Sequence, residues 1–414
     1  MYQIIFYVII GILIFDYALD QFLDYLNATK RSSKLPAALK GIYDEDKYKK
    51  SQEYDKTNHK FSIVTSSFNL LLILIFLNLS GFAFVDDLAR SITLNSILIA
   101  LVFFGIIMFA SDILHIPFEI YDTFVIEEKF GFNKTTVKTF ILDKIKGWFI
   151  AAIIGGGLLA LIIWFYNKVG NSFWIYAWIA VGLFMIFMTM FYTSLIVPLF
   201  NKLKPLEEGE LKNEITSFCD KAGFRLDNVY VIDGSKRSTK ANAYFSGLGK
   251  KKKIVLFDTL IEKLSKEEIV AVLAHEIGHY KKKHTLVSVF TSIIQTGLTL
   301  YILSLFVGNP ALSKALGSDI PSFHLGLITF GFLYSPISTI IELFMNIISR
   351  KNEYAADQFA SEQYKGEYLQ NALKTLSVNN LSNLTPHPAY VFFNYSHPPL
   401  LQRIKFIDQI SKQK

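Results

Sequence analysis

The chain has 414 residues, 51% of them hydrophobic and only 19% charged, with a mean hydropathy of +0.34. That leaves too little polar surface for a soluble protein of this length, and the apolar residues are gathered in long runs, so the composition points to an integral membrane protein. The net charge of +7 accompanies no nucleic-acid-binding module, and it reads as loop topology and attraction to anionic lipid.

Seven apolar stretches of about twenty residues, enough to span a bilayer, fall near 2–24, 62–84, 95–116, 147–167, 173–197, 284–307 and 322–348. The first carries Asp16 and Asp20; no Lys or Arg precedes its apolar run and no clear small-residue cleavage site follows. It is therefore expected to stay as a helix with its N-terminus outside. Segments 85–94, 168–172 and 308–321 hold only Arg90, Lys168 and Lys314 as cations. The opposite loops are crowded with them, including Lys30, Arg31, Lys34, Lys47 and Lys60 and the runs Lys250–Lys253 and Lys281–Lys283. By the positive-inside rule these loops and the C-terminus face the cytosol. The expected fold is mainly α. Residues 1–200 carry membrane helices one to five, 201–283 form a cytosolic α+β segment, 284–348 carry helices six and seven, and 349–414 form a cytosolic C-terminal segment.

Within 201–283 the pattern predicts an amphipathic helix over Glu208–Ala222 and strands at Asn228–Ile232, Ala241–Gly247 and Ile254–Phe257, the last two joined by a turn at Leu248-Gly249-Lys250. An exposed strand edge can bind a peptide backbone as one more strand. Ala241–Gly247 is the candidate edge, with Asn242, Ala243 and Tyr244 as its substrate-binding candidates, and a purely structural strand fits the same pattern equally well. Cys219, the only cysteine, excludes an intramolecular disulfide and a cysteine-based zinc site, and an inert thiol is expected.

Ser265-Lys266-Glu267-Glu268 reads as a capping box, and Ile269, Val270, Val272, Leu273 and Ile277 follow at helical spacing. That helix carries His275-Glu276-Ile277-Gly278-His279. Positions i and i+4 share a helix face. Both imidazoles can then reach one Zn²⁺, with Glu276 placed to take a proton from water at the metal. Two solvated helical histidines are the plain alternative.

Glu342, Asn346, Ser349, Glu353 and Asp357 follow one another at intervals of four, three, four and four residues, which makes one polar stripe on a helix. Ionisable groups facing lipid are costly, so Glu342 and Asn346 are candidates for lining a hydrated interior; a helix–helix hydrogen-bond contact is the alternative. Asp112 is a weaker instance of the same argument. Two histidines leave zinc short of its usual three protein ligands, and Glu353 is the natural third. Asp357, on the same face, could accept the second ring N–H of a ligating histidine. Near the C-terminus His397 could hydrogen-bond the oxyanion of a tetrahedral intermediate, and Arg403 could orient Asp357 or the substrate.

Together these residues resemble the type I CAAX prenyl proteases, integral-membrane zinc metalloproteases of the gluzincin group. The likeness runs over nearly the whole chain. Besides the His275–His279 motif it rests on Phe124–Lys134, Pro198–Lys202, Asp233–Ser238, Asn242–Gly247, the block from Ser349 to Asp357, and His397-Pro398-Pro399. It implies seven membrane helices around a large internal chamber, with a small zincin-like α+β subdomain at the cytosolic end. It also implies hydrolysis of the peptide bond after a prenylated cysteine in a C-terminal Cys-aliphatic-aliphatic-X tail. By motif position His275, His279 and Glu353 would hold one Zn²⁺ and Glu276 would be the base. Asn242 would help hold the substrate backbone and His397 would stabilise the intermediate.

The chain departs from the family in having Thr239-Lys240-Ala241 where Ser-His often stands, and Tyr280 where Trp is usual; Ser411–Lys414 carries no di-lysine retrieval signal. The expected partners are prenylated or otherwise membrane-associated peptides and the lipid bilayer, with no nucleic acid. Lys-, Ile- and Asn-rich composition suggests an AT-rich genome. In a eukaryote the endoplasmic reticulum and inner nuclear membrane would be the location, in a bacterium the plasma membrane. The rival readings are a broader quality-control protease acting on unprenylated chains and a catalytically idle membrane scaffold.

Overall fold

The structure, a computed structural model, describes residues 1–32, 34–224, 229–248 and 252–412. Among them six helical stretches are long and apolar enough to cross a membrane: Tyr2–Ala28, Glu45–Asn78, Ser96–Phe130, Val137–Phe200, His284–Phe306 and Phe323–Gln363. Their starts follow local chemistry. Asp44 accepts from the Lys47 N–H, Asn95 from Ile97 and Leu98, and Thr136 from Thr139, so each cap satisfies a donor that the first turn leaves open.

Two expected spans, 147–167 and 173–197, lie inside the single stretch Val137–Phe200. That stretch folds back on itself. Gly170 takes a left-handed φ of 59° in the turn Gly170–Ser172, and helices Gly156–Val169 and Phe173–Leu195 pack side by side.

The expected span 62–84 needs correction. Its helix ends at Asn78, Ser80 adopts a φ of 53°, and a separate helix, Gly81–Ile92, begins. Packing explains the break. Phe82, Val85 and Ala89 bury one face against Ile9, Leu77, Phe103 and Leu325. Gly81 allows so tight a turn, because a Cβ there would fall 2.4 Å from the Phe76 ring.

A four-stranded sheet follows the helix pair. Its strands are β1 (Leu203–Pro205), β2 (Val229–Ile232), β3 (Ala243–Ser246) and β4 (Lys253–Phe257), in the order β1-β2-β4-β3. β2 and β4 run parallel and the other neighbours antiparallel. The expected strands are thus present and shorter. Asn228, the turn residues Gly249 and Lys250, and the terminal Gln413 and Lys414 lie outside the described residues. Helix Glu210–Lys221 occupies the place of the expected amphipathic helix, and Ile215, Phe218 and Cys219 on its apolar side join one core with β4 and the motif helix Lys266–Lys281.

Several joints tie this part to the membrane helices, among them Thr193 donating to Ser246 at 2.7 Å and Lys253 to Ser194 at 2.8 Å. Arg237 forks onto Asp143 at 2.7 and 2.9 Å and also donates to the Phe200 carbonyl, while Lys240 donates to Glu127 at 2.8 Å. The motif helix lies against the long helix Phe323–Gln363, and the glycine of the motif permits the approach: a Cβ on Gly278 would meet the Ala356 Cα at 3.1 Å. Helices Gly366–Asn379, Pro388–Asn394 and Leu400–Ser411 complete the chain.

Candidate metal centre

The site is built where the motif helix crosses the long helix. Ser265 and Glu268 form the capping box reciprocally, which starts the motif helix and sets its register. One turn apart on it, His275 Nε2 and His279 Nε2 lie 3.1 Å from each other. From the long helix Glu353 reaches both, with Oε2 at 3.4 Å from His275 Nε2 and Oε1 at 3.2 Å from His279 Nε2. One donor atom from each of the three residues lies within 4.8 Å of the other two.

The donors fit a tetrahedral cation such as Zn²⁺. Ligand atoms on an ion with bonds of about 2.0–2.1 Å stand roughly 3.3 Å apart, close to the spacing here. Glu353 Oε2 is, moreover, buried without a hydrogen bond, its charged neighbours being His275 Nε2 at 3.4 Å and Arg403 Nη1 at 3.5 Å. A buried carboxylate oxygen without a hydrogen bond is costly, and a cation held directly by it would offset that cost.

The outer partners hold the ligands in orientation. Asp357 Oδ1 sits 2.9 Å from His275 Nδ1, which leaves Nε2 for the metal. Asp357 is in turn gripped by Arg403, whose Nε and Nη2 donate to it at 2.8 and 2.6 Å. Burial opposes a charge on the His275 ring, but hydrogen bonds to Asp357 and Glu353 outweigh it and raise the metal-free ring to about 9. His397 Nε2 stands 3.3 Å from Glu353 Oε1, yet its side chain is 64% exposed, so the ring borders the open side of the ligand set. Glu276 is half-buried on the same helix.

The remaining candidates are spread more widely. Asn242 is exposed at the head of β3; its Oδ1 accepts from the Ala243 N–H at 2.9 Å and its carbonyl from the Phe257 N–H at 3.1 Å. Ala243 and Tyr244 are half-buried in β3, which ends the sheet with no further strand beyond it among the described residues. Glu342 is exposed. Asn346 is buried, and its amide donates to the Phe393 carbonyl at 2.9 Å, so at that position the contact between helix and chain is the one present. Asp112 accepts from Lys144 at 2.7 Å and from the Trp148 ring N–H at 2.8 Å. Burial pushes the Cys219 thiol up to about 12, in keeping with an inert cysteine.

One contributor escaped the sequence reading. His284 Nδ1 lies 3.0 Å from His279 Nδ1, the nitrogen turned away from the metal position. The only signal in the chain is a third histidine shortly after the motif.

Comparison with known proteins bears on this arrangement. Residues 24–202 match the CAAX prenyl protease N-terminal region of five membrane helices, and residues 205–411 match peptidase family M48. CAAX prenyl protease 1 of Saccharomyces cerevisiae is 36% identical over 435 aligned residues, spanning 98% of this chain and 96% of that protein. The CAAX prenyl protease 1 homolog of Homo sapiens is 31% identical, spanning 91% of this chain and 89% of that one. Among solved structures, the crystal structure of S. mikatae Ste24p superposes with a TM-score of 0.93 at 34% identity, covering 98% of this chain and 99% of that one.

Proposed function

The chain belongs to peptidase family M48, joined to the CAAX prenyl protease membrane region, and on that premise we propose that it is a zinc endopeptidase of prenylated tails. It cuts after the prenylated cysteine of a C-terminal Cys-aliphatic-aliphatic-X sequence. The observation that carries this reading is the meeting of His275, His279 and Glu353 within 4.8 Å in a chain that matches CAAX prenyl proteases nearly end to end.

In this reading His275, His279 and Glu353 hold one Zn²⁺. Bound there, the ion supplies Lewis-acid polarisation of the scissile carbonyl and acidifies water toward pKa ~7. Glu276 takes the proton from the attacking water and passes it to the leaving amine. His397, whose Nδ1 lies 2.9 Å from the Ser396 hydroxyl and whose Nε2 lies 3.3 Å from Glu353 Oε1, turns Nε2 to the developing oxyanion and donates to it. Asp357 and Arg403 act through His275 by fixing its ring. The open edge of β3, with Asn242, Ala243 and Tyr244, receives the substrate backbone as an added strand, which puts the scissile bond in register with the metal helix.

The fold-back at Gly170 supports the reading of the six helical stretches as seven passes. We propose that these surround a hydrated chamber onto which Glu342 opens, with the N-terminus outside and the metal site cytosolic. Cysteine at position 342 should react with a water-soluble thiol reagent; no reaction sinks the chamber wall. The location is the endoplasmic reticulum and inner nuclear membrane in a eukaryotic cell, or the plasma membrane in a bacterial one.

The complete set of ligands and base speaks against an idle scaffold. The test of substrate class compares purified protein on a farnesylated tail peptide and its unprenylated twin. Release of the last three residues from the farnesylated peptide alone is expected; equal cleavage of both would move the reading to a broader membrane protease.

A further inference from the structure

We infer that His284 is a positioning residue for the metal, holding ligand His279 in a single tautomer by accepting its second ring proton. The inference rests on the ligand set proposed above.

The proton order follows from which nitrogen faces what. His279 Nε2 points at His275 Nε2 and Glu353 Oε1, at 3.1 and 3.2 Å, so it is the ligating nitrogen and carries no proton in the metal-bound state. The ring proton must then sit on Nδ1, whose neighbour at 3.0 Å is His284 Nδ1. Two ring N–H groups cannot face each other at that distance, so His284 accepts there and keeps its own proton on Nε2. The rings meet edge-on, with centroids 5.1 Å apart at 70°. The two metal histidines are thus held by different chemistry. His275 is locked by a buried carboxylate clamped by Arg403, whereas His279 depends on a neutral imidazole.

The backbone makes this contact. On one continuous helix, residues five apart point about 140° away from each other and cannot meet. Here the motif helix ends at Lys281, and Lys283 takes a left-handed φ of 61° before helix His284–Phe306 starts. A non-glycine residue in that region is uncommon. The turn swings His284 back over the face that bears His279. His284 is also the first residue of the helix that enters the membrane, so the orientation of one metal ligand is tied to the position of that helix.

The test measures zinc itself, on the full-length protein in detergent, by metal content after equilibration against graded chelator. His284→Ala should weaken zinc affinity about 10- to 100-fold, as loss of an outer-shell partner does. His284→Asn, which returns a carbonyl acceptor, should recover part of that loss. Unchanged affinity in His284→Ala overturns the inference. Equal loss in both variants, with an equally lowered melting temperature of the metal-free protein, also overturns it, since His284 would then be a packing residue. His279→Ala is the control for the ligand set: retained stoichiometric zinc there would refute the proposed ligands and not merely the role of His284.

Discussion

The long helix Phe323–Gln363 contributes to a carboxylate–imidazole–guanidinium trio near each end, and only one of them is equipped for chemistry. At its start His324 Nε2 meets Asp86 Oδ1 at 2.7 Å, and Arg90 Nε donates to the other oxygen at 3.0 Å. From His324 to Asp357 is 33 residues (357 − 324), or roughly 50 Å of helix. There Asp357 holds His275 at 2.9 Å and is held by Arg403 at 2.8 and 2.6 Å. The asymmetry lies in what surrounds the ring. The Phe103 ring packs on His324 with centroids 4.5 Å apart, and no metal-ligating trio forms around it among the described residues. The second ring nitrogen of His275 faces another imidazole and a carboxylate oxygen that makes no hydrogen bond. A clamped imidazole is therefore a structural device in itself. It becomes a site when its open nitrogen is given two more donors and a base.

The strongest way to break this contrast is Glu276→Gln. It keeps both histidines and Glu353, so zinc content should stay at one per chain while tail cleavage falls on the order of 10⁴-fold. Turnover equal to the parent would remove Glu276 from the chemistry and leave the metal end without its base. His397→Ala comes next. The ring is exposed and touches the ligand set only through Glu353 at 3.3 Å. An oxyanion donor of this kind contributes about 10²–10³-fold in kcat. A rate unaltered by the change would show His397 to be a bystander at the rim.

Much of the metal end was legible because its information is local. The His275–His279 pair needs only a helix, and the capping box at Ser265 announces one. Glu353 and Asp357 share a face by spacing alone. The edge position of β3 matched the strand pattern, although the order of strands comes from pairing that no single segment encodes. The other end was opaque because Asp86 and His324 are 238 positions apart, with no pattern linking them. His284 was missed because its contact requires a helix break at Lys283 that residue types there do not advertise. Span 62–84 ran too far since hydropathy continues through Ser80-Gly81, where a left-handed residue ends the helix. The contact of Asn346 uses a backbone carbonyl, at Phe393, which sequence cannot single out.

The finest discrimination between the two ends comes from making the same change at each. Asn in place of Asp357 keeps shape but removes the charge that fixes His275 and neutralises Arg403, so zinc affinity should fall about 10- to 100-fold, with cleavage following metal occupancy. Asn in place of Asp86 breaks a set whose arginine is only half-buried, but Asp86 itself has no exposed surface at all. Leaving a buried partner uncompensated costs about 3–5 kcal/mol, so the melting temperature should drop. Zinc affinity and kcat of the protein that remains folded should not move, because nothing at that end reaches the reacting atoms. The pair of readouts decides the matter. If Asp86→Asn lowered zinc affinity as Asp357→Asn does, the long helix would be transmitting strain between its ends, and the separation of a structural trio from a chemical one would fail.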